Sequence, residues 1–324
     1  MPQPQTIKMQ ALVPDTLDGE RFDSIAAELF ADYSRARLQK WIKVGDLTVD
    51  GKVLRPKDKL HDGQLLSLET TLLERESADE PQAMALDIVY EDDSLLVLNK
   101  PPGLVVHPAA GHSDNTLMNG LLHYCPSLAH VPRAGIVHRL DKDTSGLMVV
   151  AKTLAAHHLL VDQLQERTVS RQYYAVVQGV MTAGGTVDAP IGRHPSNRQK
   201  QAVLDPGGKQ AVTHYRIQSR FRAHTLVRCQ LETGRTHQIR VHMAHIRFPL
   251  LGDKLYGGRP KLPKASSEQL VNMLQQFPRQ ALHAFSLGLL HPQDGDYCEW
   301  EIAIPDDMQA LLDELERDLR EFAR

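Results

Sequence analysis

The sequence predicts an α+β protein, with a small N-terminal α/β unit of two helices and a hairpin followed by a larger domain on a mainly antiparallel sheet. Three observations carry this. Apolar residues recur at helical spacing between Phe22 and Ile42, and beyond residue 86 short β-rich runs follow one another with few helical stretches. Strands joined chiefly by loops and hairpins favour an antiparallel sheet over a parallel one. Between the two regions, residues 72–85 are rich in Glu, Ser, Asp and Pro, lack apolar periodicity and read as an exposed linker.

The elements follow in order. Residues 1–16 are read as a flexible tail, and the first structured unit, 17–71, begins near Leu17. Phe22, Ile25, Ala26, Leu29 and Phe30 share one helical face. Ser34 is placed as the N-cap of a second helix, in which Leu38, Trp41 and Ile42 face inward while Arg35, Arg37, Lys40 and Lys43 cover much of the rest. Asp50-Gly51, between two β-rich runs ending at Leu54, is a hairpin signal. In the larger domain, 86–324, strands are expected at 87–91, 94–99, 146–151, 173–179, 213–217 and 225–231, with helices after Thr153 and after Pro305.

A chain of 324 residues with 42% hydrophobic content suits one ordinary domain plus a smaller one. The N-terminus lacks a basic segment followed by an apolar core, and no apolar run approaches the length of a membrane span. Its three cysteines, Cys125, Cys229 and Cys298, are distant from one another and encode neither a disulfide framework nor a zinc ribbon. A cytoplasmic location without membrane association is therefore expected.

The net charge of −3 argues against a nucleic-acid partner until its distribution is examined. From Arg35 to Lys59 there are eight Lys/Arg against three acids, and from Arg193 to Arg247 eleven against two. Glu69 to Asp93 instead carries nine acids and one Arg. Such segregation fits local sites for a polyanion, and equally a solvated charged face.

The most informative stretch is Gly135-Ile-Val-His-Arg-Leu-Asp141-Lys-Asp-Thr-Ser-Gly-Leu-Met-Val-Val-Ala-Lys152. Read from residue types, it is an apolar approach, a polar loop with Arg139 beside Asp141, and a buried strand leaving it. The same residues also suit a plain β-turn in which Asp143, Thr144 and Ser145 satisfy backbone groups.

This segment resembles the catalytic motif of the RluA/RluD family of pseudouridine synthases, written around His-Arg-Leu-Asp and Thr-Ser-Gly-Leu. Three further pieces match in the family's order: Asn99-Lys-Pro-Pro-Gly-Leu-Val-Val-His107-Pro, Arg171-Gln-Tyr173-Tyr-Ala-Val-Val-Gln-Gly179, and Leu231-Glu-Thr-Gly-Arg-Thr-His-Gln-Ile-Arg240-Val-His-Met. Pro132-Arg-Ala-Gly and Ala189-Pro-Ile-Gly-Arg-His-Pro lie nearest the family's RluD branch. Leu17 to Glu69 resembles the alpha-L RNA-binding motif of ribosomal proteins, whose cationic second helix contacts phosphates; a helical adaptor kept soluble by its lysines is the alternative.

The resemblance implies an enzyme that breaks the N1–C1′ bond of uridine, turns the base and rejoins it through C5. No atoms are added and no redox change occurs, so no cofactor is expected; the sequence has no phosphate-binding glycine loop and no dinucleotide fingerprint. His242-Met-Ala-His245 lacks the spacing of helical zinc sites and a third ligand, so no metal is expected and a structural role is preferred. Asp141 is implied as the group that attacks the nucleotide or takes a proton from its ribose, with the order left open. Arg240 is implied as its counter-charge, because a carboxylate in a poorly hydrated pocket otherwise picks up a proton. Tyr173 is implied to stack on the base and assist proton removal from C5, although a core tyrosine suits the bare sequence nearly as well.

A stacked uridine cannot reach a buried aspartate, so the nucleotide must flip out at about a few kcal/mol. Arg139 is implied to fill the vacated space. Lys100 and His107 read as pocket-lining, and Arg193, Arg198 and Lys200 as followers of the RNA backbone. The implied substrate is large-subunit (23S) ribosomal RNA in assembling particles, and a monomer is expected. The rivals are a non-catalytic RNA-binding protein of the same fold and a synthase acting on transfer RNA.

Overall fold

The computed structural model describes residues 5–30, 33, 35–72, 80–108 and 114–323. The chain divides into two compact units, Met1–Ser77 and Ala78–Arg324.

In the first unit, strands β1 (Gln5–Leu12), β2 (Leu47–Val49) and β3 (Leu65–Leu72) form an antiparallel sheet in the order β1-β3-β2, accompanied by helices α1 (Phe22–Leu29) and α2 (Arg35–Val44). The expected helical faces form the core. Phe22, Ile25 and Ala26 of α1 pack with Leu38, Trp41 and Ile42 of α2 against Leu47, Val49, Leu66 and Leu68 of the sheet. The Ser34 cap lies outside the described residues.

Two expectations need correction here. Residues 5–12, read as tail, are a strand whose half-buried Ile7, Met9 and Ala11 alternate with exposed Lys8 and Gln10. That period of two becomes decisive only through pairing with β3, more than fifty residues away in sequence. The Asp50-Gly51 turn forms with both residues left-handed (φ 49° and 74°), yet the hairpin is one pair deep. Beyond Lys52 the chain leaves the sheet, and the partner of β2 is β3.

The second unit contains β4 (Ile88–Glu91), β5 (Leu95–Lys100), α3 (Leu117–Tyr124), β6 (Ser145–Ala151), α4 (Leu154–Glu166), β7 (Ser170–Gln178), β8 (Gly185–Asp188), β9 (Ile191–Arg193), β10 (Gln201–Val203) and β11 (Val212–Arg220). It continues with β12 (His224–Leu231), α5 (Gln238–His245), α6 (Glu268–Gln276), β13 (Leu282–Leu290), β14 (Tyr297–Glu301) and α7 (Asp306–Phe322). Its main sheet runs β4-β5-β6-β13-β7-β12-β11-β8, with β14 also on β13. Every pair in it is antiparallel except β6 with β13.

Both faces of the sheet are covered, which explains why β6 is buried along its whole length. Leu96, Leu98, Met148 and Val150 meet Leu117 and Leu121 of α3 on one face. On the other, Leu95, Val97, Leu147 and Val149 meet Ala156 and Leu160 of α4. Thr153 caps α4 by accepting the Ala156 N–H at 3.1 Å. All six strands read from the sequence are present, but α3, α5, α6 and five strands were not anticipated.

Of the linker read at 72–85, residue 72 ends β3 and residues 73–79 lie outside the described ones. The remainder belongs to the second unit. Asn119 Nδ2 donates to the Glu80 carbonyl at 2.8 Å and Gln82 N–H to the Asn119 carbonyl at 3.0 Å. Met84 lies where a Cβ on Gly120 would be only 2.4 Å away, so a glycine on α3 makes room for it.

Candidate active site

Asp141 sits in the polar loop that leads into β6, and this loop is clamped from several sides. Lys100, fully buried at the end of β5, donates to the carbonyls of Pro101, Leu104 and Lys142 at 2.8, 3.0 and 2.9 Å. The Gly103 N–H also reaches the Lys142 carbonyl (2.9 Å), and Arg279 Nη1 reaches that of Asp143 (3.2 Å). On the approach side, His138 Nε2 accepts the Val149 N–H at 3.1 Å. Burial pushes the His138 pKa down to about 3, so its ring is a neutral strut. The polar run is thus more than a turn satisfying itself: its carbonyls are held by distant side chains. Gly146 completes the seat, since at φ 118° a Cβ would stand 2.2 Å from the Ala284 carbonyl of β13.

Arg240 reaches the loop from α5. Its helix start is fixed by buried Gln238, which accepts from Thr233 Oγ1 and the Arg235 N–H and donates to the Val212 carbonyl and Thr213 Oγ1. Arg240 Nη1 donates to Asp141 Oδ2 at 2.9 Å, while Nε and Nη2 fork onto the two oxygens of buried Asp253 at 2.7 and 2.9 Å. Burial alone would lower the Arg240 pKa, but the Asp253 fork and the Asp141 charge outweigh it and raise it. The guanidinium therefore stays charged, bridging two carboxylates.

Sequence reasoning missed Asp253. It also missed Tyr256, whose ring lies 5.1 Å from the Arg240 guanidinium and whose hydroxyl meets His237 Nδ1 at 2.8 Å. The signal available was the acid and aromatic in Leu251-Gly-Asp-Lys-Leu-Tyr-Gly257, with no charge pattern to connect them to Arg240. His237 Nε2 stands 4.0 Å from Asp141 Oδ1, and burial lowers its pKa despite that carboxylate.

Asp141, Arg139, Tyr173 and Arg240 line one cavity of about 830 Å³, the size class of small-molecule pockets. Tyr173 sits on β7 between β12 and β13, with Cys229 and Ala284 opposite it. Burial pushes its phenol up to about 12. The phenol is therefore protonated at neutral pH, and its ring is available at the cavity wall for a base to stack on. Arg139 is exposed at the rim, and His107, also on the wall, is held neutral by burial, with a pKa near 4.

The other sequence-derived candidates fall elsewhere. Arg193, Arg198 and Lys200 lie on or beside the two-stranded β9–β10 sheet, off the cavity wall. Lys40 and Lys43 are exposed on α2 of the first unit. Arg35 and Arg37 are placed on that helix by the backbone, and their side chains lie outside the described ones. Both nitrogens of the His242 ring are engaged, by Thr213 Oγ1 and the Ala189 carbonyl at 2.9 Å each.

The known proteins that this chain resembles agree in kind. Residues 94–245, which contain Asp141, Tyr173 and Arg240, match the RNA pseudouridylate synthase family model. The ribosomal large subunit pseudouridine synthase D of Pseudomonas aeruginosa is 59% identical over 318 residues, covering 98% of each chain. The protein of that name from Escherichia coli K12 is 54% identical, covering 98% of this chain and 97% of its own. Among solved structures, human RNA pseudouridylate synthase domain containing 4 superposes with a TM-score of 0.57 at 26% identity, over 71% of this chain and 93% of its own. Domain containing 1 gives 0.51 at 26% identity, over 76% and 98%. With more than half of its residues shared end to end with such enzymes, the chain belongs to the RNA pseudouridylate synthase family.

Proposed function

We propose that this pseudouridine synthase isomerises uridines of large-subunit ribosomal RNA, with Asp141 as the reacting carboxylate, Arg240 as its counter-charge and Tyr173 as the surface on which the base rests. The observation that carries the reading is the Asp141–Arg240 contact of 2.9 Å at the wall of a cavity that also holds Tyr173. An aspartate there is aimed by one charge-assisted hydrogen bond and keeps a second oxygen for the ribose. Arg139, exposed at the rim, suits the space a flipped nucleotide leaves. The names of the relatives support the substrate class.

The first unit acts as an alpha-L-type RNA-binding module through α2, and Arg193, Arg198 and Lys200 follow the backbone of the same RNA. The test is a map of pseudouridines in ribosomal and transfer RNA from cells with and without this protein. Loss confined to large-subunit ribosomal RNA is expected. Loss confined to transfer RNA overturns the substrate, and no loss anywhere overturns the activity. Because the reaction is an isomerisation, purified protein is expected to be fully active in excess EDTA.

A further inference from the structure

The cavity holds a second buried cation that the scheme above leaves unused. Arg171 projects from β7 two residues before Tyr173, on the same face of the strand, and both line the cavity. It is 6% exposed. Its environment is the reverse of Arg240's. Among the described residues it forms no ion pair, and its one hydrogen bond runs from Nη2 to the Glu232 carbonyl at 3.1 Å. Its Nε is buried without a partner. The carboxylate of Glu232 is turned to Arg167 and His214 instead, at 3.4 and 2.6 Å.

A guanidinium withdrawn from water without a carboxylate is expensive, and such a group at the wall of a cavity calls for a partner that enters the cavity. The neighbouring chain makes room for it. Gly234 lies so close that a Cβ there would stand 2.8 Å from Arg171 Nη1.

The geometry points to Arg171 as the group that stabilises the uracil anion released when the glycosidic bond breaks. This rests on the reading of Asp141 above. Whether Asp141 adds to C1′ or takes the proton of C2′, the C1′–N1 bond breaks with its electron pair leaving on the base; the Asp141–C1′ bond breaks, or the proton returns to C2′, when the base rejoins. That charge spreads over N1, O2 and O4. After the base turns, the same pair forms the C1′–C5 bond, C5 gives up its proton and N1 gains one, so nothing is added or lost. A neutral uracil on Tyr173 has no claim on a buried cation, but the separated anion does, and a fixed charge aimed at developing charge lowers the barrier. A phosphodiester is the less suitable partner. It would have to be desolvated to reach a side chain this deep, while Arg139 stands exposed at the rim.

The test uses the full chain and large-subunit ribosomal RNA transcribed in vitro with uridine or with 5-fluorouridine, whose fluorine stabilises the same ring anion. Arg171→Met is expected to slow single-turnover cleavage of the uridine glycoside by about 10²-fold or more. RNA affinity should stay within about twofold, and the loss should shrink at least about tenfold on 5-fluorouridine. Arg171→Lys, which keeps the charge but not the fork, and Gly234→Ala, which displaces the fork, should show the same asymmetry to a smaller degree; they carry the test if Arg171→Met does not fold. Equal losses on the two RNAs overturn the inference. So does weakened RNA binding with an unchanged single-turnover rate, which would make Arg171 a phosphate anchor. Turnover by Asp141→Asn within about tenfold of wild type would instead remove the underlying reading, and a severely impaired Asp141→Asn beside normal Arg171 variants would remove this inference alone.

Discussion

The two units bury different chemistry. The first closes two helices on one face of a small sheet, and among its described residues the buried polar side chains are Asp23 and Thr70. The second buries Lys100, Arg171, Gln238, Arg240, Asp253 and Arg279 within or around one loop and one cavity. Apolar burial is cheap and tolerant of exchange, whereas each buried polar group needs a partner at a set distance. Polar burial on this scale therefore marks where the molecule gives up stability for position, and the described residues of the first unit show it only at Asp23 and Thr70.

The largest expected break between the units comes from Asp141→Asn. The amide keeps the shape but is neither nucleophile nor base, so conversion should fall by roughly 10⁴-fold or more, with RNA affinity and melting temperature nearly unchanged. Residual turnover within tenfold of wild type would undo the assignment.

Next in size is Arg240→Ala. It leaves Asp141 and Asp253 without their shared cation and should cost about 3–5 kcal/mol in urea unfolding as well as activity. Adding Asp253→Asn should return part of that stability but not the activity, since two facing carboxylates become one. Lys43→Ala, on the exposed face of α2, should change stability by no more than about 0.5 kcal/mol. Similar costs at both positions would erase the contrast.

Acid should separate the units more gently. Burial lowers His138 to about 3 and His107, His224 and His283 to about 4. Between pH 6.5 and 4 the unfolded chain binds protons that these buried rings refuse, so stability falls as the pH falls through that window. The loss is expected to reach a few kcal/mol, roughly 1.4 per histidine and pH unit at most. All four histidines lie in the second unit, so calorimetry should show its transition moving first. Replacing His138 with Gln should narrow the window.

The smallest effect concerns binding. Without residues 1–77 the chemical step should persist while RNA affinity and site choice weaken. The salt dependence should flatten by about 0.9 log–log units per lost phosphate contact on duplex, or about 0.7 on single strands. Equal slopes and equal selectivity for the two proteins would reduce the first unit to a solubilising adaptor.

Local patterning made much of the fold legible. The helical faces of α1 and α2, the Thr153 cap, the six strand runs and the turn at Asp50-Gly51 depend on neighbours within a few residues. The grouping of the candidate site was legible through motif resemblance, because Asp141, Tyr173 and Arg240 stand in ordered motifs that meet in one cavity. β1 and β13 were not legible. β1 becomes a strand because β3 is there to pair with it, and β13 mixes buried His283 and Ser286 with apolar residues, so it shows neither alternation nor a clean apolar run.

What the sequence determined by itself is therefore which residue types are available and which short segments prefer helix, strand or turn. Tertiary structure decided the charges. Arg171 and Arg240 are the same side chain in two motifs, and no local pattern distinguishes them. One meets two carboxylates because the loop after α5 returns Asp253 beside it, and the other meets a single backbone carbonyl. The strength of a charge depends on what surrounds it over several ångströms and how far water is excluded, and both are set by segments remote in sequence.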